Sequence, residues 1–120
     1  MNRFVTSTES EHDFIEASHA GTSISVALGN ALHKKNISST DYSIAVIGDG
    51  SLAEGLALEA LNHASCEDVN LLIVINDNQY AISPGFGAIH NHLSQISSGK
   101  ESNIFTNLGY NYHGVIDGHS

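Results

Sequence analysis

Positive charge is what this chain most lacks: 4 Lys and Arg stand against 13 Asp and Glu, a formal net charge of −9 over 120 residues. A surface of that sign repels phosphate backbones and anionic lipid, so nucleic-acid and membrane-surface partners are disfavoured. Cysteine occurs once, at Cys66, which excludes an internal disulfide and points to a reducing, cytoplasmic setting. No apolar run approaches the roughly 18–20 residues that cross a bilayer, and the opening MNRFVTSTESEHDF contains no apolar stretch of the kind a secretory signal needs. Tryptophan is absent and proline occurs once, yet 41% of the residues are hydrophobic. That composition fits one small α/β domain with a single core, and neither a disordered chain nor a two-domain enzyme.

The pattern sharpens at Thr22. Ile24, Ala27, Leu28, Ala31 and Leu32 recur at helical spacing and form one apolar stripe. Thr22 or Ser23 is placed to cap its start, and Lys34 and Lys35 suit its negative C-terminal end. After the turn cluster at 36–41, SIAVI at 43–47 reads as a buried strand breaking into a tight turn at Gly48-Asp49-Gly50. Residues 52–64 read as a second helix, with Leu52, Leu56, Ala60, Leu61 and Ala64 turned inward. LLIVI at 71–75 reads as a second strand, stopped by Asn76-Asp77-Asn78. Neither apolar run alternates, which predicts a sheet covered on both faces. Strand, helix and strand joined closely predict a right-handed unit with parallel strands. Further on, residues 88–96 read as a short helix and 110–116 as a last strand.

Both strands thus end in polar residues suited to a ligand, and in open parallel sheets ligands sit beyond the carboxyl ends of the strands. Asp49 offers a carboxylate and Asn78 an amide oxygen, hard ligands suited to Mg²⁺ or Ca²⁺. Mg²⁺ in particular pairs one or two protein oxygens with phosphates and water. Gly48 and Gly50 allow a close approach to a bulky anion, and the helix that follows aims its first N–H groups there. No Lys or Arg lies between Lys35 and Lys100, but a metal ion together with a helix N-terminus can neutralise a diphosphate in this crevice without them. His19, just ahead of the first helix, offers one more donor. The histidines make no metal site as a group: His90 and His92 are two apart and share no helix face, and no cysteine pair accompanies them. A dinucleotide-binding loop is the chemical rival. The spacing here is G-x-G-x4-G, Asp49 would repel an unmetallated pyrophosphate, and Asp68 precedes the second strand, so that reading fails. Ser51 lacks the pattern of a nucleophile elbow.

The stretches ESEHDF, HAGTSISVALGNAL, AVIGDGSLAEGLALEALNHA, LLIVINDNQYAISPGFGAIHNHLSQI and LGYNYHGVIDGH resemble, in order, the 1-deoxy-D-xylulose-5-phosphate synthases. These are thiamine diphosphate enzymes of the transketolase-like superfamily. The resemblance runs from Arg3 to His119. It implies an α/β fold with a parallel sheet and helices on both faces, in which Asp49, Asn78 and the backbone carbonyl of Tyr80 ligate Mg²⁺. It implies further that Gly48, Gly50 and Ser51 approach the diphosphate, that Asn78 touches it, and that Ser18-His19-Ala20 lines the cofactor site. His19 is then the one candidate catalytic side chain, and Ser18 stands where the family has glycine. Family enzymes condense pyruvate with glyceraldehyde 3-phosphate, release carbon dioxide, and feed isoprenoid (terpenoid), thiamine and pyridoxal synthesis.

The resemblance also implies what this chain lacks. Family enzymes are several times longer and continue into a pyrimidine-binding domain, which carries the glutamate that activates the cofactor, and a C-terminal domain. Several dozen residues that the family carries between Lys100 and Glu101 are missing here. The expectation is one partial domain over 1–120 that anchors thiamine diphosphate through Mg²⁺, is inactive alone, and associates with a pyrimidine-binding domain or subunit as a homodimer or hetero-oligomer. Two alternatives stand beside it: a subunit of a split transketolase-like enzyme with another small-molecule substrate, and a degenerate, non-catalytic binding module.

Overall fold

A computed structural model describes residues 6–10, 15–78, 85, 87–99 and 102–118. Its elements are α1 (Ser23–Asn36), β1 (Ser43–Gly48), α2 (Asp49–Leu52), α3 (Gly55–Ala64), β2 (Leu71–Asn76), α4 (Ala88–Ser97) and α5 (Ile104–Asn107). β1 and β2 pair in parallel, with Ser43 beside Leu71 and Gly48 beside Asn76. The register brings both strands to an end at the same edge, as their polar terminators predicted.

The helical stripe of α1 buries Ile24, Ala27, Leu28 and Ala31. With Ala45 and Ile47 of β1, Leu52 of α2, and Ala57, Ala60 and Leu61 of α3, Ile24 and Ala27 form one core that Leu93, Ile96 and Phe105 extend. Ile24 and Leu52 are its largest fully enclosed side chains. At the C-terminal end of α1, Lys34 Nζ donates to the Tyr42 carbonyl at 2.8 Å and ties the helix to the start of β1. Tyr110 OH donates to the Leu61 carbonyl at 2.7 Å, and the Phe105 and Tyr112 rings stack with centroids 5.7 Å apart. Together these pin the C-terminal stretch onto α3. No helix among the described residues is long and apolar enough to cross a membrane.

Several expectations are corrected. Among the described residues the sheet is covered on one face only, because α1, α2 and α3 all contribute to the core beneath Ala45 and Ile47. The opposite row, Ile44, Val46, Leu72 and Val74, is exposed. The Gly48-Asp49-Gly50 segment is no tight turn: the strand passes straight into the single helical turn of α2. The second helix is interrupted, since Glu54 is extended (φ −71°, ψ 144°) and α3 restarts after it. This break rotates the inner face, so Ala57 is buried and Leu56 is exposed. Thr22 occupies the N-cap position of α1 without a side-chain cap bond; its hydroxyl donates instead to the His19 carbonyl at 3.3 Å. Residues 110–116 form no strand, their aromatic rings and hydroxyl being engaged with α3 and α5.

Candidate functional site at the strand ends

Asp49 follows the last residue of β1, and Asn78 lies two residues past the end of β2. Because Gly48 is the register partner of Asn76, both leave the sheet from one edge. Asp49 is only 8% exposed, yet its carboxylate has no hydrogen-bond or ion-pair partner among the described residues. The carboxylate oxygens are not enclosed with the rest of the residue; they keep contact with solvent, open to an incoming ion. Leu52, 1% exposed on the same turn of α2, anchors that turn in the core and so holds the backbone of Asp49 against it. Asn78 is exposed.

The glycine of β1 acts differently from the sequence expectation. Gly48 has φ −79° and ψ 157°, a conformation open to any residue, so no turn demands it. A Cβ built there would meet nothing within 4 Å. What glycine contributes is an unfilled space beside Asp49. Gly50 and Ser51 belong to α2, with Gly50 exposed and Ser51 half-buried.

The segment ahead of α1 is brought to the same region. Gly21 adopts φ +79°, and a Cβ on it would stand 3.0 Å from the Glu54 Cβ and 3.4 Å from the Ser51 carbonyl oxygen. Only glycine tolerates both that conformation and that proximity. Ser18, His19 and Ala20, all exposed, are thereby carried to the α2–α3 junction, and the Thr22 hydroxyl closes the turn on the His19 carbonyl. Ser18 has φ +54°, in the left-handed region that glycine favours. Tyr80 lies outside the described residues, as do Lys100 and Glu101.

Two contributors escaped the sequence reading. Gly21 shows its role only through contact with Glu54, and nothing in the spacing marks it. His92 is half-buried, and its Nε2 accepts the Ile104 backbone N–H at 2.9 Å, linking α4 to α5. Beside that link lies an apolar cavity of about 250 Å³, lined by Leu61, Leu93 and Phe105 among others. No group of three or more His, Cys, Asp or Glu able to hold a metal occurs among the described residues. An ion here would rest on one carboxylate with neutral oxygen ligands and phosphate, a donor set that suits Mg²⁺.

A family profile described as 1-deoxy-D-xylulose-5-phosphate synthase matches residues 1–103. The 1-deoxy-D-xylulose-5-phosphate synthase of Thioalkalivibrio sulfidiphilus is 36% identical over 151 residues, covering 97% of this chain and 24% of the relative. The synthases of Albidiferax ferrireducens (37% over 154 residues) and Methylococcus capsulatus (36% over 155 residues) each cover 99% of this chain and again 24% of the relative. The first of these matches spans 151 positions against the 120 residues present here, so at least 31 positions have no counterpart in this chain. That agrees with a shortening of several dozen residues. The chain spans about a quarter of the length of the curated relatives it matches, and it belongs to the 1-deoxy-D-xylulose-5-phosphate synthase family.

Proposed function

We propose that this chain is the cofactor-anchoring part of a 1-deoxy-D-xylulose-5-phosphate synthase, holding the diphosphate of thiamine diphosphate through Mg²⁺. The observation that carries the reading is Asp49 at the end of β1, a residue only 8% exposed whose carboxylate has no partner among the described residues and keeps its contact with solvent, where an ion reaches it. A divalent cation supplies the missing charge. Asn78, from the neighbouring strand end, and the Tyr80 carbonyl are the further ligands, and the diphosphate and water complete the shell. Gly48 leaves space for the diphosphate beside that ion, and Ser51 and the Ser18-His19-Ala20 segment flank it. His19 is the candidate catalytic side chain.

Thiamine diphosphate, when bound, supplies the carbanion chemistry that joins pyruvate to glyceraldehyde 3-phosphate with loss of carbon dioxide. This chain's residues position the cofactor's charged tail. The glutamate that activates its ring belongs to a pyrimidine-binding domain or subunit, so the chain alone does not turn over. In this reading it works as one partial domain of a homodimer or hetero-oligomer.

Titration calorimetry with Mg²⁺ and thiamine diphosphate tests the assignment. The expected result is binding that requires both components, weakened at least roughly tenfold by Asp49→Ala with unchanged helical circular dichroism. Absence of any heat from folded wild-type protein would sink the reading and favour a binding module that has lost its chemistry.

A further inference from the structure

We infer that the apolar cavity between α3, α4 and α5 is a binding site for a small uncharged aromatic or aliphatic molecule. Its volume is about 250 Å³, and the buried side chains of Leu52, Leu61, Leu93 and Phe105 form its walls. Well-packed interiors seldom keep a void much larger than a water molecule. Leu58, Ile89 and Leu108 also line it and are only half-buried, so it opens to solvent and a ligand can enter. The walls stand apart because polar bonds tie the elements around them. His92 Nε2 of α4 accepts the Ile104 N–H of α5 at 2.9 Å. The Tyr110 hydroxyl, just past α5, donates to the Leu61 carbonyl of α3 at 2.7 Å. At the start of α5 the Asn103 side chain accepts the Thr106 N–H at 3.0 Å and fixes that short helix. A site held open in this way needs little reorganisation when it is filled.

The walls decide the ligand. Among the described residues no Lys, Arg, Asp or Glu lines the cavity, so a phosphate, carboxylate or ammonium group would enter it unpaired. Of the two polar residues that border it, His92 spends its Nε2 on Ile104 and Asn62 is exposed. Apolar cavities of about 150 Å³ stay dry and take up benzene or xenon. This one therefore has room for a single ring with a short substituent. A docked helix, about 10 Å across, would need a groove far longer than this enclosure. Filling the space restores dispersion contacts that the facing side chains otherwise lack. Leu52 belongs both to this cavity and to α2, so a ligand here touches the helical turn that carries Asp49. The inference goes beyond the cofactor reading and does not rest on it.

The test is an amide NMR titration of the full 120-residue chain with toluene. Toluene is expected to bind saturably, with a Kd of about 1 mM or below. It is expected to shift the amides of Leu52, Leu61, Leu93 and Phe105 and to leave those of Ile44 and Val46 in place. Benzoate, the same ring bearing a charge, is expected to shift none of them. At tenfold its Kd, toluene is expected to raise the thermal midpoint by roughly 5 °C. Leu58→Phe, which sets a larger side chain in the opening, is expected to weaken toluene binding at least roughly tenfold. Leu56→Phe, on the exposed side of α3, is expected to leave binding unchanged. The amide map is read on the wild type, so it decides the matter even where a variant fails to fold. Absence of saturable toluene binding by the folded chain overturns the inference, as do equal binding of benzoate and shifts confined to Ile44 and Val46. A toluene response unaltered in folded Leu58→Phe overturns it too. Asp49→Ala is expected to bind toluene like the wild type while losing Mg²⁺-dependent binding of thiamine diphosphate, which separates this site from the cofactor reading.

Discussion

Gly21 stands directly against Glu54: a Cβ added to Gly21 would lie 3.0 Å from the Glu54 Cβ, closer than side chains normally pack. The contact joins the turn that carries His19 to the one residue where the helix after β1 breaks. With φ +79°, Gly21 also holds a backbone conformation that costs an L-residue roughly 1–2 kcal/mol. Gly21→Ala therefore suffers both strain and crowding. It is expected to lose roughly 2 kcal/mol in urea unfolding and to loosen the segment of Ser18, His19 and Ala20. An unfolding midpoint equal to the wild type's would show that this turn is not fixed against α2 and α3.

Leu52 holds Asp49 in place from below. It is 1% exposed, sits on the four-residue helix α2, and lines the apolar cavity beside α4 and α5. A helix of one turn has little stability of its own, so this side chain is what fastens α2 to the core. Leu52→Ala both removes buried surface and joins its volume to an existing cavity, which limits relaxation. A loss of about 3 kcal/mol is expected in denaturant unfolding. A loss below about 1 kcal/mol, the range of tolerated core exchanges, would mean that α2 is held by something other than this anchor.

The positions of α1, β1, β2 and α4 were legible because each is a local pattern. The i, i+3, i+4 stripe of Ile24, Ala27, Leu28 and Ala31 and the two apolar runs over 43–47 and 71–75 set secondary structure whatever surrounds them. The coverage of the sheet was not legible. A run such as LLIVI states that both faces want burial, but the described residues supply no buried partner for Leu72 and Val74. The break at Glu54 was hidden for a related reason. Leu52, Leu56, Ala60 and Ala64 fit one continuous helix, and nothing in their spacing marks the extended Glu54 that interrupts it against Gly21. The strand expected over 110–116 failed because Tyr110 and Tyr112 pack onto α3 and α5 instead. Of the candidate site, Asp49 and Asn78 could be placed from their positions at strand ends. That Asp49 is a largely enclosed residue with an unpartnered carboxylate among the described residues follows only from the fold.

The Glu16 carboxylate gathers Thr6 and Ser7. Glu16 Oε1 accepts the Ser7 backbone N–H and the Ser7 hydroxyl, each at 2.7 Å, and the Thr6 hydroxyl at 3.1 Å. These bonds, those from Ser7 foremost, hold the Glu16 carboxyl below its ordinary value near 4.5, because they favour the ionised form. The sign of the linkage follows from the direction of that shift. A carboxyl lowered on folding contributes its stabilisation fully above about pH 4.5 and loses it as the pH falls through the lower, folded value. The side chain is fully solvated, so the effect belongs to the local clasp of Thr6, Ser7 and Glu16 and leaves global stability nearly unchanged. In an NMR titration the Ser7 amide proton is expected to keep its hydrogen-bonded shift through pH 4.5 and to move only at more acidic values. Glu16→Gln should abolish that titration while the thermal midpoint of the core stays put. A Ser7 amide that titrates at the ordinary glutamate pH, or that is indifferent to Glu16→Gln, would show that the clasp does not form in solution.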